Sequence, residues 1–396
     1  MSKTPARSAT PPRDPAASSP TSQNARALKV AHVLSSLGMG GQERIALDLA
    51  ARQAEAGHDV VVISLDARPR GPLAADFEAS GIEVAHAPKT RRFDLPLATS
   101  LAALLRRRHV DIVHTHNPLP LIYAAPAARL SGAAVVHTKH GMNPASGRQI
   151  WLRRRAASLA RAFVAVSDHT ATVAHEAGES PPGRLYVVPN GIELSRFGAH
   201  AGGRDGVRAE LGVPEGAHLL GTVGRLFTEK GHDFLLRAVE PLLSDELHLA
   251  IIGDGPEARA LADRTGELRR GDAVHLLGPR QDVPRLLCAL DAFVLPSVRE
   301  GLPLVVPEAM ASSLPVIATA VGGLPTVVED DRTGFLVEYG DEAALRARIA
   351  ALAADPGLCR RLGERGRERA LAEFSVETML ARYMTIYRAV LPDSPR

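Results

Sequence analysis

From Leu28 onward the chain alternates short apolar runs with longer amphipathic stretches, and no other feature constrains its fold as tightly. The series begins with LKVAHVLS, passes through a helical stretch near Glu43 to Ala56, and returns to HDVVVISL. Short apolar strands separated by helix-length segments are the signature of parallel βαβ units, whose crossover helices cover both faces of the sheet. Further strands are expected at Glu83 to Ala87, Ile112 to Thr115, Ala134 to Thr138, Ala162 to Val166 and Leu185 to Val188. A Gly-rich connection from Gly198 to Gly206 reads as a hinge. Strands then restart at Leu219 to Val223, His248 to Ile252, Val274 to Leu276, Ala292 to Leu295, Val316 to Ala318 and Gly334 to Val337. The expectation is an α/β protein of two doubly wound domains, 27–197 and 198–375, with an Arg/Glu-rich helical end from about Leu358 and a terminal helix over Phe374 to Val390.

A length of 396 residues gives each domain a sizeable core. The formal net charge of +3 is too small for a protein that coats nucleic acid, so no nucleic-acid partner is expected. Cys288 and Cys359 have no disulfide or zinc spacing, and the apolar runs are too short to span a bilayer. Residues 1–26, with five prolines and no apolar secretory core, read as a disordered tail. A cytoplasmic setting is expected. The charge is divided unevenly: +9 up to Arg196 and −6 beyond it. Arg148, Arg153, Arg154, Arg155 and Arg161 accompany Ile150, Trp151 and Leu152 in RQIWLRRRAASLARAF. Such a basic amphipathic helix can lie on an anionic membrane surface or can be a solvated face.

Several loops at the ends of expected strands carry candidate chemistry. In SSLGMGGQE, Gly38, Gly40 and Gly41 stand where a strand turns into a helix, open either to a phosphate or to a tight turn of positive φ. Glu43 occupies the place of the third glycine of a dinucleotide fingerprint, which disfavours nicotinamide binding. In GRLFTEKG, Arg225 and Lys230 are two cations able to clamp a diphosphate and neutralise a leaving nucleotide. IIGDGPE places Gly253 at the carboxyl end of another strand, where open α/β sheets bind ligands. In SVREGLPLVVPEAMA, Glu300 and Glu308 flank a helix start near Pro307, so each could take a different hydroxyl-bearing part of one ligand; alternatively they are helix-end charge.

Taken in order, these motifs resemble the retaining glycosyltransferases of the GT-B fold, family 4, also called glycosyl transferases group 1. The resemblance rests on Gly40, Gly41 and Glu43; on Asn190 to Glu193 followed by Arg196 and Phe197; on Arg225, Lys230 and Gly231; on Gly253, Gly255 and Pro256; and on Glu300 to Ala311 followed by Gly322 and Gly323. It runs from Leu28 to about Val390. Glu193 stands where the family often has aspartate, and the tail carries no family motif. The resemblance implies two Rossmann-like domains facing a central cleft, with the last segment, 376–396, crossing back to the first domain. It implies transfer of a sugar from a UDP- or GDP-linked donor to a hydroxyl acceptor, a hexosyltransferase activity of class EC 2.4. The acceptor would be a glycan, a lipid-linked glycan or a small molecule, in cell-surface polysaccharide or glycolipid biosynthesis, on the inner membrane face or free in the cytoplasm. Carried over residue by residue, Arg225 and Lys230 bind the diphosphate, Glu308 the ribose, and Glu300 and His140 the transferred sugar. Gly301, Leu302, Pro303 and Leu304 would cradle that sugar, Gly40, Gly41 and Gly253 would approach the donor, and Leu277 and Arg280 would border the base. No cofactor or metal is implied.

Four histidines, His114 and His116 in HTHNP and His137 and His140 in VVHTKHG, could suggest a metal, but no carboxylate is interleaved, and polar residues at strand ends fit as well. Glu329, Asp330 and Asp331 read as a turn before Arg332. Two other functions use a similar scaffold: a nucleotide-sugar epimerase, told apart by product formed without an acceptor, and a non-catalytic nucleotide-sugar-binding subunit, which would not need Arg225, Lys230, Glu300 and Glu308 intact.

Overall fold

A computed structural model describes residues 26–67, 71–91, 94–198 and 203–391. It contains two parallel sheets flanked by helices. The first has strands β1 (Lys29–Leu34), β2 (Asp59–Ser64), β3 (Glu83–His86), β4 (Ile112–His116), β5 (Ala134–Lys139), β6 (Ala162–Ala165) and β7 (Leu185–Val187), in the order β3-β2-β1-β4-β5-β6-β7. The second has β8 (His218–Val223), β9 (Leu247–Ile252), β10 (Val274–Leu276), β11 (Ala292–Leu295), β12 (Val316–Thr319) and β13 (Gly334–Val337), in the order β10-β9-β8-β11-β12-β13. Each sheet is covered on its faces by apolar clusters, which is why its strands read as continuous runs of Val, Ile, Leu and Ala. In both sheets the strand order reverses at one place, between β1 and β4 and between β8 and β11. Loops that leave the carboxyl ends of strands at such a reversal form the ligand crevice of a doubly wound sheet.

The chain divides into two compact units: one ends at Asn190 and is completed by residues from Met379 onward, and the other is Gly191–Thr378. The crossing therefore comes seven residues before the expected boundary at 197/198 and again three residues beyond 375/376. Backbone packing inside the second unit accounts for the position. Ile192 N donates to Phe374 O at 2.8 Å and Val376 N to Ile192 O at 3.0 Å. A Cβ on Gly191 would lie 2.4 Å from Ser375 O, so only glycine fits between these strands of chain. The expected hinge is shorter than the glycines suggest: Gly203–Leu211 is helical, and 199–202 lie outside the described residues, as do 1–25 of the expected tail. Arg26 is ordered by Asp111 at 2.9 Å.

The basic stretch also departs from expectation. Its helix is Gly147–Ala157 and stops short of Arg161, whose N–H donates to Val135 O at 2.8 Å and starts β6. The terminal helix Val376–Val390 contributes Tyr383 and Tyr387, both buried, to the first unit.

Candidate active site

In the second unit, the loops after β8, β9 and β10 are tied together by backbone hydrogen bonds. Leu226 N donates to Asp254 O at 2.8 Å, Glu257 N to Leu226 O at 3.0 Å, Gly253 N to Gly278 O at 2.9 Å and Leu277 N to Ile251 O at 2.9 Å. Gly253 has φ +146°, and a Cβ there would lie 1.8 Å from Gly224 O, which explains the glycine without invoking a ligand. Arg225 is exposed, its guanidinium 4.9 Å from the Phe227 ring centroid, and among the described residues it has no carboxylate in ion-pair range.

The loop after β11 joins the same edge through Val298 N, which donates to Glu229 O at 2.8 Å. Lys230 Nζ then reaches Glu300 Oε1 at 2.6 Å, and Ser297 Oγ donates to the same oxygen at 2.7 Å. Thr319 Oγ1 fixes Ser297 through its carbonyl at 2.6 Å. Gly322, at φ +59°, lets the loop after β12 press against Glu300 O, which a Cβ would approach to 1.9 Å. The sequence thus separates Lys230 from Glu300 by role, whereas the structure joins them in one ion pair. Both donors fall on Oε1 of Glu300, leaving Oε2 as the acceptor open to a hydroxyl. Gly301, Pro303 and Leu304 are half-buried beside the pair and Leu302 is buried. Glu308 lies in the first turn of the helix Val305–Ala311. Arg280 is paired with Asp282 at 2.8 Å and Glu210 at 2.9 Å, which fix the position of its guanidinium.

In the first unit, β1 lies beside β4 with His32 aligned to His114, and β4 lies beside β5 with His116 aligned to Thr138. That register gathers His32, His114 and His116 on one face and continues to His140 just past β5. His32 Nδ1 is 2.9 Å from His116 Nε2, and His116 Nδ1 is 2.9 Å from His140 Nε2. His32 Nε2 is 2.8 Å from Gln53 Oε1. His114 bonds Tyr387 OH at 2.6 Å and Thr138 Oγ1 at 2.7 Å. His137, one residue out of phase, turns to the opposite face and bonds Thr115 Oγ1 at 2.9 Å. Burial pushes His32 down to about 4 and His137 and His140 down to about 3, and it holds His114 and His116 well below the usual imidazole value. His32, His114 and His116 bring ring nitrogens within 4.8 Å of one another, a spacing that could hold an ion. Yet all six of those nitrogens are already hydrogen-bonded within the protein. The acidic run at 329–331 is likewise spoken for, with Glu329 paired to Arg369 at 2.6 Å and Asp330 accepting from Leu336 N at 2.9 Å.

None of Gly38, Gly40 and Gly41 takes positive φ, so the tight-turn account of that loop fails. Gly40 instead precedes the helix Gly41–Glu55 in extended conformation, where a Cβ would lie 2.2 Å from Glu43 Oε2. Gln42 Nε2 donates to Glu43 at 2.6 Å, and Asn117 Nδ2 donates to Gln42. Asn117 Oδ1 accepts from the backbone N–H of His140 at 3.0 Å. Behind this loop a buried ion pair, Lys139 with Glu179 at 2.5 Å, is joined by Arg153 at 3.3 Å.

Comparison with known proteins places this arrangement. The family model described as Glycosyltransferase Family 4 matches residues 39–196, and that of Glycosyl transferases group 1 matches residues 204–369. The alpha-maltose-1-phosphate synthase of Mycolicibacterium smegmatis is 33% identical over 341 residues, which cover 78% of this chain and 88% of that protein. The chain belongs to the group 1, family 4 glycosyltransferases. This glycosyltransferase is also 29% identical, over 79% of its length and 85% of the relative's, to an Escherichia coli protein named UDP-Gal:alpha-D-GlcNAc-diphosphoundecaprenol alpha-1,3-galactosyltransferase. The crystal structure of Anabaena HepE in complex with UDP superposes with a TM-score of 0.83 at 22% identity, covering 91% of this chain and all of that one, and confirms the GT-B fold. The glycosyltransferase is therefore an enzyme of class EC 2.4.

Several residues of the site escape motif reading. Ser297, itself held by Thr319 at the end of β12, orients Glu300, and His32, Gln53, Tyr383 and Tyr387 complete the histidine cluster. His32 left one signal, a polar residue in the middle of the apolar run that makes the first strand, which burial obliges to find a partner.

Proposed function

We propose that this glycosyltransferase moves a sugar from a UDP- or GDP-linked donor to a hydroxyl acceptor with retention of configuration, in the assembly of a cell-surface polysaccharide or glycolipid. The observation that carries the reading is the Lys230–Glu300 pair at 2.6 Å, set beside an exposed Arg225 at the reversal of the second sheet. As the bond from C1 of the sugar to the diphosphate breaks, its electron pair leaves with the nucleotide, and Arg225 and Lys230 stabilise that charge. Glu300 faces the positive charge left on the sugar, the acceptor oxygen bonds C1 from the side of the leaving group, and the departing phosphate takes the acceptor's proton. In this reading no metal takes part. His140 contacts a hydroxyl of the transferred sugar, and Glu308 holds the ribose.

Support for such a donor comes from the solved HepE complexes, which hold UDP and UDP-glucose, and from the E. coli relative, whose name gives a UDP-sugar and a lipid diphosphate acceptor. The first unit's positive charge suits a phosphate-bearing acceptor at the inner membrane face, with Trp151 and Arg155 exposed on the helix Gly147–Ala157. No helix among the described residues is long and apolar enough to cross a membrane. Neither an epimerase nor a binding subunit is favoured, because the named relatives are transferases and synthases. A screen of nucleotide sugars for slow hydrolysis, followed by mass spectrometry of acceptor products and NMR of the anomeric linkage, tests the reading. Calorimetry with the free nucleoside diphosphate should then show Glu308→Gln weakening binding while Glu300→Gln spares it. Equal losses would mean that the two carboxylates have been given the wrong parts.

A further inference from the structure

The histidine cluster has a direction. At neutral pH its buried rings are uncharged, and a neutral imidazole carries one N–H donor and one lone-pair acceptor. In a chain of such rings, fixing the proton on the first fixes every other. The chain starts at Gln53, buried in the helix Gly41–Glu55, whose Nε2 donates to Tyr387 OH at 3.3 Å. Its Oε1 is an acceptor only, and it faces His32 Nε2 at 2.8 Å, so His32 carries its proton there. His32 Nδ1 must then accept from His116 Nε2, and His116 Nδ1 must accept from His140 Nε2, both at 2.9 Å. His140 is left with a bare lone pair on Nδ1. That atom is buried and has no hydrogen-bond partner among the described residues. A buried acceptor left unsatisfied is costly, and a ligand hydroxyl would satisfy it.

We propose that Gln53 is a positioning residue which, through His32 and His116, holds His140 in the Nε2–H tautomer, so that Nδ1 accepts a hydrogen bond from a sugar hydroxyl. The inference deepens the reading of His140 as a contact of the transferred sugar and rests on it. Rotating the Gln53 amide by half a turn would reverse every proton in the chain and make His140 Nδ1 a donor. With the amide in this orientation, the Tyr387 hydroxyl accepts from Gln53 and donates to His114 Nδ1, 2.6 Å away, and that arrangement holds the amide in place. The C-terminal helix thereby sets the proton position of a ring that lies four bonds of the network away.

The test is NMR of the full-length protein labelled with 15N-histidine, in which long-range proton–nitrogen correlations separate the two tautomers and the His140 signals are assigned by their absence in His140→Gln. Wild type should show His140 protonated at Nε2. Gln53→Met, which removes the acceptor, should give a mixture of tautomers and a roughly five- to tenfold fall in kcat, the size of one neutral hydrogen bond. Tyr387→Phe removes the hydroxyl that holds the Gln53 amide and should likewise give a mixture of tautomers, so it decides the matter if Gln53→Met does not fold. A wild-type His140 protonated at Nδ1, or an unchanged tautomer in Gln53→Met or in Tyr387→Phe, would overturn the proposal. The spectrum needs no turnover, so a protein that transfers no sugar yet shows the predicted tautomers counts against the glycosyl-transfer reading alone.

Discussion

The two units place polar groups at the same point of their sheets, the reversal of strand order, and do so in opposite ways. In the first, four buried histidines and the half-buried His140 are neutral, and the information lies in where each proton sits. In the second, Lys230 and Glu300 are an ion pair, 21% and 9% exposed, and the information lies in charge. A neutral network tolerates deep burial because nearly all of its ring nitrogens are satisfied by neighbours, His140 Nδ1 excepted, whereas an ion pair shut away from water recovers its desolvation cost only with excellent geometry and added hydrogen bonds. Ser297 supplies such a bond, and the pair's partial exposure lowers the remaining cost.

The largest expected effects test the ionic side of the contrast. Lys230→Ala and Glu300→Gln should each lower kcat by about 10²- to 10³-fold, roughly 3–4 kcal/mol of transition-state stabilisation. Because each group positions the other, the double variant should lose clearly less than the product of the two. Arg225→Ala, in contrast, should combine multiplicatively with Glu300→Gln, since Arg225 has no ion-pair partner among the described residues. Steady-state kinetics of the four-member cycles decide it, and a multiplicative Lys230/Glu300 cycle would show that the pair does not act as a unit.

A smaller effect tests the neutral side. The histidines of the first unit take up protons below their ordinary value of 6.5, His32 at about 4 and His137 and His140 at about 3, whereas in the unfolded chain they would protonate near 6.5. Between those values the unfolded state binds more protons, so their contribution to stability is complete above pH 6.5 and is lost as pH falls toward 4 and below. In the second unit burial lowers His232 to about 4 and also lowers His218, His248 and His275, but among the described residues only His248 and His275 meet, as one partly buried pair. Hydrogen exchange at about pH 4.5 should therefore open the amides of 112–116 and 134–139 before those of 292–295 and 316–319. The reverse order would break the contrast.

The smallest expected effect concerns the surface of the first unit. Arg153 reaches Glu179 and the Asn143 carbonyl, so Arg153→Gln should lower the melting temperature without weakening membrane contact. Arg148 and Arg155 are exposed, and Arg155 stacks 5.6 Å from the Trp151 ring centroid. Replacing both by glutamine should weaken binding to anionic vesicles by about 1 kcal/mol per charge at low salt. Vesicle flotation at two ionic strengths reads it, and a wild-type protein that ignores anionic vesicles points to a soluble acceptor.

Much of this was legible before any coordinates. The strands lie within a residue or two of where the apolar runs put them, because a parallel strand covered on both faces is apolar over most of its length. The cations and carboxylates of the second unit stand in loops that the same pattern places at strand ends. The unit boundary was not legible: the glycines of 198–206 look flexible, yet the crossing is set at Gly191 by how closely its backbone meets Ser375. Arg280, a cation in a promising place, is already held by Asp282 and Glu210, a fact that only packing shows.

By itself, then, the sequence determined the two parallel sheets, the glycines that their crowded loops require, and the identity of the charged groups beyond β8 and β11, since each of these follows from local pattern. Tertiary structure decided the pairings. Lys230 meets Glu300 across 70 residues of chain, and His114 meets Tyr387 across 273. Strand register, not spacing, set His32 beside His114. Charge, tautomer and pKa depend on what a group touches and on how far it is removed from water, and those are properties of the folded neighbourhood that no local stretch of sequence contains.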